Sequence, residues 1–388
     1  MNESIRLCRE LAAFSEEPGK TTRNFLSPPM KDVHRVLGGR LKSAGMQVSI
    51  DAAGNLRAIT SASPRLIVAS HLDTVPDAGA FDGVLGVVLG VMMAEALAPW
   101  PRKLGLEVIG FSDEEGVRFG RPFIGSQAVA GILDASAPDL RQAIRDFGLN
   151  PDELPQARLA PGAIGYLEFH IEQGPVLDKR GLPLAVVDSI VGQTRAELLF
   201  LGSANHAGTT PMHDRQDALT CAAQWILEVE KEGRQREGLV ATVGRIVNEP
   251  NASNAIPGQV RVSLDVRHTS DEVREQALDR LITAAYGVAS RRGLAVNIPR
   301  RLPQATVPLD PSLCAILERA MEPPVHRMSS GAGHDAMIIA PHVPSTMLFL
   351  RSPGGISHSP KESVQESDVD AALSTGLRFF KDLEKQLV

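Results

Sequence analysis

Three apolar runs in the sequence end in histidine or acidic residues, and this pattern constrains the fold more than any other feature. The junctions are LIVA-SHLDTVP at 66–76, LEVIGF-SDEEG at 106–116 and GYLEF-HIEQGP at 165–175. Short apolar runs of this kind are typical of buried parallel strands. Open α/β sheets bind their ligands beyond the carboxyl ends of such strands. The sequence therefore predicts an α/β sheet with histidine and carboxylate side chains gathered at one edge.

Length and composition limit the remaining choices. A chain of 388 residues favours two domains, and a formal net charge of −6 without a basic stripe excludes nucleic acid or an anionic membrane as the main partner. The beginning of the chain has no apolar signal core. Three distant cysteines without a CxxC motif suit a reducing compartment, so we expect a cytoplasmic protein.

Periodicity predicts the elements around these junctions. The apolar stretch VLGVVLGVMMAEAL at 84–97 is expected to be a buried helix, whose glycines allow close packing on a sheet; a membrane-type dimer face is the alternative. From about residue 194 the parallel-sheet rhythm is lost, and the pattern indicates a small α+β insertion. Its predicted elements are a strand at 196–201, a helix at 214–231, strands at 239–248 and 260–267, and a helix at 271–291.

The polar residues after the apolar runs have the composition of a site for two divalent ions. Two ions about 3.5 to 4 Å apart require one carboxylate that spans both, with terminal ligands on each side. Asp82 is the expected bridging residue, and the predicted terminal ligands are His71 and His170 on one ion and Glu115 and His358 on the other.

Two further carboxylates lie beside these ligands. Glu114 is not needed as a ligand and is expected to act as general base on a water that the ions acidify. Asp73 is expected to orient the ring of His71. A solvated acidic loop is the alternative interpretation of the Glu114-Glu115 pair. It is disfavoured because two separate strand ends supply ligands of the same type.

Seven motifs together resemble one known family. They are ASHLDTVP with FDG, SDEEGVRFG, FHIEQGPVLD, ANHAGTTPM, SNAIPGQV, SGAGHDAM and GGISHSP. In this order they are similar to the hydantoinase/carbamoylase branch of the dinuclear metallopeptidase superfamily. The resemblance implies a discontinuous catalytic α/β domain at 1–193 and 306–388, interrupted by a smaller α+β lid domain at 194–305 through which two subunits pair. It also implies the ligand set above, with Glu114 as general base.

The resemblance also implies substrate-binding residues. Gln173 is similar to a residue that contacts the ureido group, and His206 to a lid histidine that polarises the scissile carbonyl in the partner subunit's site. Asn254 and Arg267 match positions that bind a substrate carboxylate, a group that suits the two-pronged guanidinium. Gly354 would allow the backbone to approach substrate.

The expected activity is hydrolysis of a ureido carbon–nitrogen bond in a small substrate that also carries a carboxylate. Allantoate, hydrolysed to ureidoglycine with release of ammonia and carbon dioxide, is the first expectation. N-carbamoyl-L-amino acids are the second, and an exopeptidase or aminoacylase activity is a more distant third. The ions are expected to be zinc or manganese, with nickel or cobalt also compatible. Gln193, Arg195, His334 and Asp335 carry no assigned role at this stage.

Overall fold

The structure is a computed structural model that describes residues 2–387. By its internal contacts the chain divides into two compact units, one of residues 1–188 with 308–388 and one of residues 189–307. Both boundaries lie close to the limits expected for an inserted domain. Each unit has its own sheet and its own covering helices.

The first segment of the larger unit alternates strands and helices. Its helices are α1 (Glu3–Ala12), α2 (Pro28–Ser43), α3 (Val84–Leu97), α4 (Ile124–Ala130), α5 (Pro138–Phe147) and α6 (Val176–Arg180). Its strands are β1 (Gln47–Ile50), β2 (Leu56–Ile59), β3 (Arg65–His71), β4 (Gly105–Phe111), β5 (Ala163–Ile171) and β6 (Leu184–Ile190).

The smaller unit is an antiparallel sheet with two long helices. Its strands are β7 (Gly192–Leu201), β8 (Asn205–His206), β9 (Val240–Thr242), β10 (Ile246–Glu249), β11 (Ala255–Ile256), β12 (Gln259–His268) and β13 (Ala295–Gln304). The helices are α7 (Ala218–Gln235) and α8 (Asp271–Arg291), and the indole N–H of Trp225 joins them by donating to the Leu281 carbonyl at 2.8 Å. The main sheet has the order β10-β12-β7-β13, with β9 also paired to β12.

The chain then returns to the larger unit. Its last elements are β14 (Val307–Pro308), α9 (Pro311–Ala320), β15 (Arg327–Ser330), α10 (Ala336–Ile339), β16 (Ser345–Leu350) and α11 (Glu366–Lys385). Among the described residues, nine strands form the large sheet, in the order β1-β2-β4-β3-β5-β16-β6-β14 with β15 beside β6.

The centre of the large sheet determines where the site lies. Strands β4, β3, β5 and β16 are neighbours and run parallel, so their carboxyl ends meet at one edge. Helix α3 packs against this centre, as its apolar sequence predicted. A Cβ on Gly86 would lie 2.1 Å from the Phe169 carbonyl oxygen of β5, so only glycine permits this approach. Among the described residues, no helix is long and apolar enough to cross a membrane.

Several predicted bounds were wrong. The helix expected from Asp214 begins at Ala218, because Asp217 caps it by accepting the N–H groups of Leu219 and Thr220. The single strand expected at 239–248 is two strands, β9 and β10, separated by residues 243–245. Strand β13 was not predicted, because its mostly exposed residues lack an apolar alternation.

Candidate dinuclear metal site

The parallel centre of the large sheet brings the five predicted ligands to one edge. His71 ends β3, Glu115 follows β4, His170 lies near the end of β5, His358 follows β16, and Asp82 stands just before α3. Among the described residues, two of the four groups whose ligand atoms lie within 4.8 Å of one another share Asp82: one is His71, Asp82 and His170, and the other is Asp82, Glu115 and His358. Asp82 belongs to both groups, as expected of a bridging carboxylate.

The first group has the electronic arrangement of a cation site. The Nδ1 atom of His71 lies 3.1 Å from the Asp73 carbonyl oxygen, and Nδ1 of His170 lies 3.0 Å from the Ile171 carbonyl oxygen. A carbonyl only accepts, so each Nδ1 carries a proton, and in its neutral form each ring presents a lone pair at Nε2. The two Nε2 atoms face each other at 3.3 Å in a buried space. Two imidazole nitrogens this close require a positive charge between them, either a proton on His71 or a metal ion, so this donor set fits a metal ion.

The surrounding charge also favours a cation. Burial alone would lower the pKa of His71, but the carboxylates of Asp73, Glu114 and Asp82 together raise the pKa well above its usual value. The same interaction shifts the pKa of Asp82 in the opposite direction. Burial opposes its ionisation, yet the histidines around it lower the pKa of its carboxyl. The site is therefore a buried negative region that stabilises positive charge.

The second group is built around the other oxygen of Asp82. His358 Nε2 lies 3.2 Å from Asp82 Oδ2 and 3.5 Å from Glu115 Oε1. Burial raises the pKa of Glu115 to about 7. His358 itself has a φ of 54°, a left-handed conformation that is uncommon for a non-glycine residue and recurs at functional sites.

Gln173 reaches into the space between the two groups. Its amide Nε2 donates to both Asp82 oxygens, at 3.1 and 2.9 Å, while its Oε1 is buried without a hydrogen-bond partner. Its backbone is left-handed as well, with a φ of 59°, and its N–H donates to the Ser352 hydroxyl. The side chain thus has a free acceptor beside the candidate ligands.

Asp73 joins two ligand segments. Its Oδ1 accepts the N–H of Glu114 at 2.9 Å and its Oδ2 that of Glu115 at 3.1 Å. Oδ1 also lies 3.5 Å from Nδ1 of His71, farther than the main-chain oxygen of Asp73. The expected orientation of the His71 ring therefore comes mainly from the Asp73 carbonyl, and the carboxylate positions the loop after β4.

Glu114 stands beside the first group. Its carboxylate lies within 4.8 Å of ligand atoms of His71 and Glu115. Burial raises the pKa of Glu114 well above the usual range, His71 opposes this increase, and the nearby Glu115 and Asp335 add to it. Glu114 therefore lies next to candidate ligands but outside the two groups that share Asp82, where the general base was expected.

The smaller unit holds three other predicted residues, His206, Asn254 and Arg267, whereas Gly354 lies in the larger unit just before His358. Strand β8 pairs with β11, so His206 lies opposite Ala255 and next to Asn254. His206 is exposed, and its Nδ1 accepts the N–H of Gly208 at 3.1 Å, so in the neutral ring Nε2 carries the proton. Arg267 lies on β12, where its Nε and one terminal nitrogen donate to Asp265 at 2.9 and 3.0 Å.

Residues without an assigned role fall into two places. The ring of His334 packs against that of His170 with centroids 4.4 Å apart, and its Nε2 lies 2.8 Å from the Ser330 hydroxyl. Asp335 is buried next to it. Gln193 and Arg195 lie on β7 in register with Arg267 and Asp265 of β12.

The sequence profile of peptidase family M20/M25/M40 matches residues 67–383. The chain belongs to this family. It is accordingly a hydrolase with an M20 fold and with groups of side chains suited to metal ions.

The curated relatives of this M20 hydrolase include allantoate deiminases and N-carbamoyl-L-amino acid amidohydrolases. This chain is 36% identical over 435 residues to allantoate deiminase of Arabidopsis thaliana, and the alignment covers 100% of this chain and 82% of that protein. It is also 36% identical over 378 residues to N-carbamoyl-L-amino acid amidohydrolase of Geobacillus stearothermophilus, with 92% of each chain covered. The resemblance inferred from the motifs is confirmed.

Solved structures agree with this family membership. A hydantoinase/carbamoylase family amidase from Burkholderia multivorans superposes with a TM-score of 0.89 at 28% identity and covers 98% of this chain and 97% of its own. A Bacillus subtilis protein described as a dinuclear metal binding peptidase of the M20 family has a TM-score of 0.64 at 14% identity, which shows the common fold.

Sequence reasoning missed three polar residues of this M20 site. Ser357 donates to Asp82 Oδ2 at 3.1 Å, and Glu168 lies within 4.8 Å of ligand atoms of His170 and His334. Glu362 accepts the N–H of Asp82 at 3.0 Å. The sequence signal that could have identified these residues is their proximity to predicted ligands. Ser357 directly precedes His358, Glu168 lies two residues before His170, and Glu362 lies four residues after His358.

Proposed function

We propose that this protein is a metal-dependent amidohydrolase that cleaves a ureido carbon–nitrogen bond, with allantoate as its substrate. The observation that carries the proposal is the sharing of Asp82 between two groups of ligand-type side chains, with Glu114 beside them. Relatives named allantoate deiminase, of which this chain covers most of the length, support the choice of substrate. The products would be ureidoglycine, ammonia and carbon dioxide.

Two divalent ions would be held by His71 and His170 on one side and Glu115 and His358 on the other, with Asp82 common to both. Zinc and manganese both suit this mixture of imidazole and carboxylate. When bound, such ions supply Lewis acidity, which lowers the pKa of water and polarises a carbonyl oxygen.

The side chains of this protein perform the proton transfers and the orientation. Glu114 accepts a proton from the attacking water and returns it to the nitrogen that leaves, a task for which its position beside the ligand atoms of His71 and Glu115 is suited. The unpartnered Oε1 of Gln173 accepts an N–H of the ureido group. Both groups are held in place before substrate arrives, which reduces the entropy lost in reaching the transition state.

The smaller unit of a second copy of the chain would complete the site. The proton on Nε2 of His206 can stabilise negative charge on the scissile carbonyl oxygen, and Asn254 and Arg267 would bind the substrate carboxylate. Asp265 already engages two nitrogens of Arg267, so it would orient the guanidinium toward the substrate. Gly354, with a φ of 69°, would allow the loop before His358 to approach substrate closely.

N-carbamoyl-L-amino acids are the second candidate substrates, because relatives with that activity in their names are equally similar to this chain. The test measures ammonia release from allantoate and from several N-carbamoyl-L-amino acids, and amino-acid release from dipeptides, each with zinc and with manganese. The proposal predicts the highest kcat/KM for allantoate. A higher kcat/KM for an N-carbamoyl-L-amino acid would assign the second activity, and faster dipeptide cleavage would refute ureido hydrolysis.

We also propose that the smaller unit pairs two copies of the chain. Strand β10 is at one end of its sheet, and Ile246 and Val247 on it are 47% and 42% exposed. Val240 on β9 is 57% exposed. Apolar side chains on an unpaired edge favour association. Ile246→Lys combined with Val247→Glu is expected to give a monomer in analytical ultracentrifugation, whereas a dimer that survives the double substitution would place the interface elsewhere.

A further inference from the structure

The segment after His358 contains a buried carboxylate that neither the ligand set nor the proposed catalysis uses. Glu362 lies in the irregular stretch between His358 and α11, and its side chain is 6% exposed. Its own N–H donates to the Ser359 carbonyl at 3.0 Å, which holds the turn after His358. The residue is therefore fixed to one of the two segments that supply ligands around Asp82.

The other end of Glu362 holds the second of these segments. Its Oε1 accepts the main-chain N–H of Phe81 at 2.8 Å and that of Asp82 at 3.0 Å. The turn leaves no room for a side chain at Gly79, where a Cβ would lie 2.4 Å from Cβ of Glu362 and 2.5 Å from its Oε1. The loop before α3 thus folds closely around this carboxylate.

We propose that Glu362 is a positioning residue that fixes Asp82 relative to His358 and so sets the spacing of the ligands around the second ion. This inference rests on the proposed metal-dependent function and deepens it. A second negative group next to Asp82 is unfavourable for folding, and its other oxygen, Oε2, is buried without a hydrogen-bond partner. Such a cost is common at functional sites, where supporting residues orient the ligands of a metal.

The hydrogen-bond geometry predicts how substitutions will rank. Glu362→Gln keeps a carbonyl oxygen that can accept both N–H groups, whereas Glu362→Leu removes the acceptor and leaves them unpaired. The Leu variant is therefore expected to bind one of the two ions more weakly by roughly 10- to 100-fold, with the Gln variant close to the wild type.

The experiment titrates the metal-free protein with Zn²⁺ in competition with a chelating dye. Asp217→Leu is the matched control, because Asp217 also accepts two main-chain N–H groups but caps α7 in the smaller unit. This control is expected to keep both zinc affinities. Equal losses in the Gln and Leu variants, or none in the Leu variant, would overturn the proposal.

Gly79→Ala tests the same geometry if circular dichroism shows that Glu362→Leu does not fold. The added methyl group displaces the Glu362 side chain, so it is expected to weaken one zinc affinity as well. Unchanged affinities in this variant would overturn the positioning role alone. A wild-type chain that binds neither zinc nor manganese would instead overturn the proposed function together with this inference.

Discussion

Removing the carboxylate of Asp73 is expected to disturb stability and activity together. Asp73 is 1% exposed and accepts two main-chain N–H groups, those of Glu114 and Glu115. In Asp73→Ala both N–H groups lose their acceptor at the loop that carries the proposed general base and a proposed ligand. The loop after β4 then loses both of its hydrogen bonds to the side chain of residue 73 in the turn after β3.

The expected loss of stability follows from these two hydrogen bonds. A hydrogen bond to a charged group contributes about 1.5–3 kcal/mol, so the loss of both lowers the free energy of unfolding by about 3–6 kcal/mol. Urea unfolding followed by circular dichroism measures this value. The kcat/KM for allantoate, measured where the variant is folded, is expected to fall by roughly 100-fold or more, because misplaced groups lose their alignment with substrate.

Glu107→Ala is the matched control. Glu107 on β4 is also 1% exposed, and its Oε2 pairs with Arg65 Nε at 2.7 Å, outside the site. Its removal leaves a buried cation unpaired and costs about 3–5 kcal/mol, yet kcat/KM of the folded protein should remain. The reasoning about Asp73 is refuted if Asp73→Ala loses less than about 1 kcal/mol, the size of one ordinary hydrogen bond, or keeps the wild-type kcat/KM.

Three further predictions address the base, the helix packing and pH. Glu114→Gln is expected to lower kcat by roughly 10²- to 10⁴-fold with unchanged metal content in elemental analysis; retained turnover would exclude Glu114 as the base. Gly86→Ala should destabilise the fold by about 1–3 kcal/mol or more in urea, whereas Gly39→Ala, with nothing near its added Cβ, should not; equal effects would contradict the close approach of α3 to β5. Burial lowers the pKa of His34 to about 4, so the unfolded chain binds a proton that the folded chain does not, and about 3 kcal/mol of stability is lost as pH falls from about 6.5 to 4. His34→Leu should flatten this pH dependence of the free energy of unfolding. An unchanged slope would contradict the role of His34.

The position of the site could be predicted because it follows from local signals. Apolar runs mark buried parallel strands, and the residues directly after them must lie at the same edge of the sheet. His71 and His170 therefore came together as expected, and so did Glu115. Asp82 and His358 follow their apolar runs at a greater distance, and the structure brings both within reach of each other.

The supporting contacts could not be predicted, since they depend on side chains distant in sequence. Glu362 contacts the main chain of Phe81 and Asp82, 281 and 280 residues away, and no periodicity marks such a contact. Strand β13 could not be predicted for the same reason, because it depends on a strand that is distant in sequence. It forms because β7 offers an edge, with pairs from Ala295 to Gln304, although its own side chains are mostly exposed.

The central claim is that two divalent ions share Asp82 and are required for turnover. Elemental analysis of the protein, purified without added metal and paired with turnover of allantoate before and after chelation, tests it most directly. The account predicts two ions per chain, loss of turnover on chelation and recovery with zinc or manganese. A metal-free chain with undiminished turnover would contradict it.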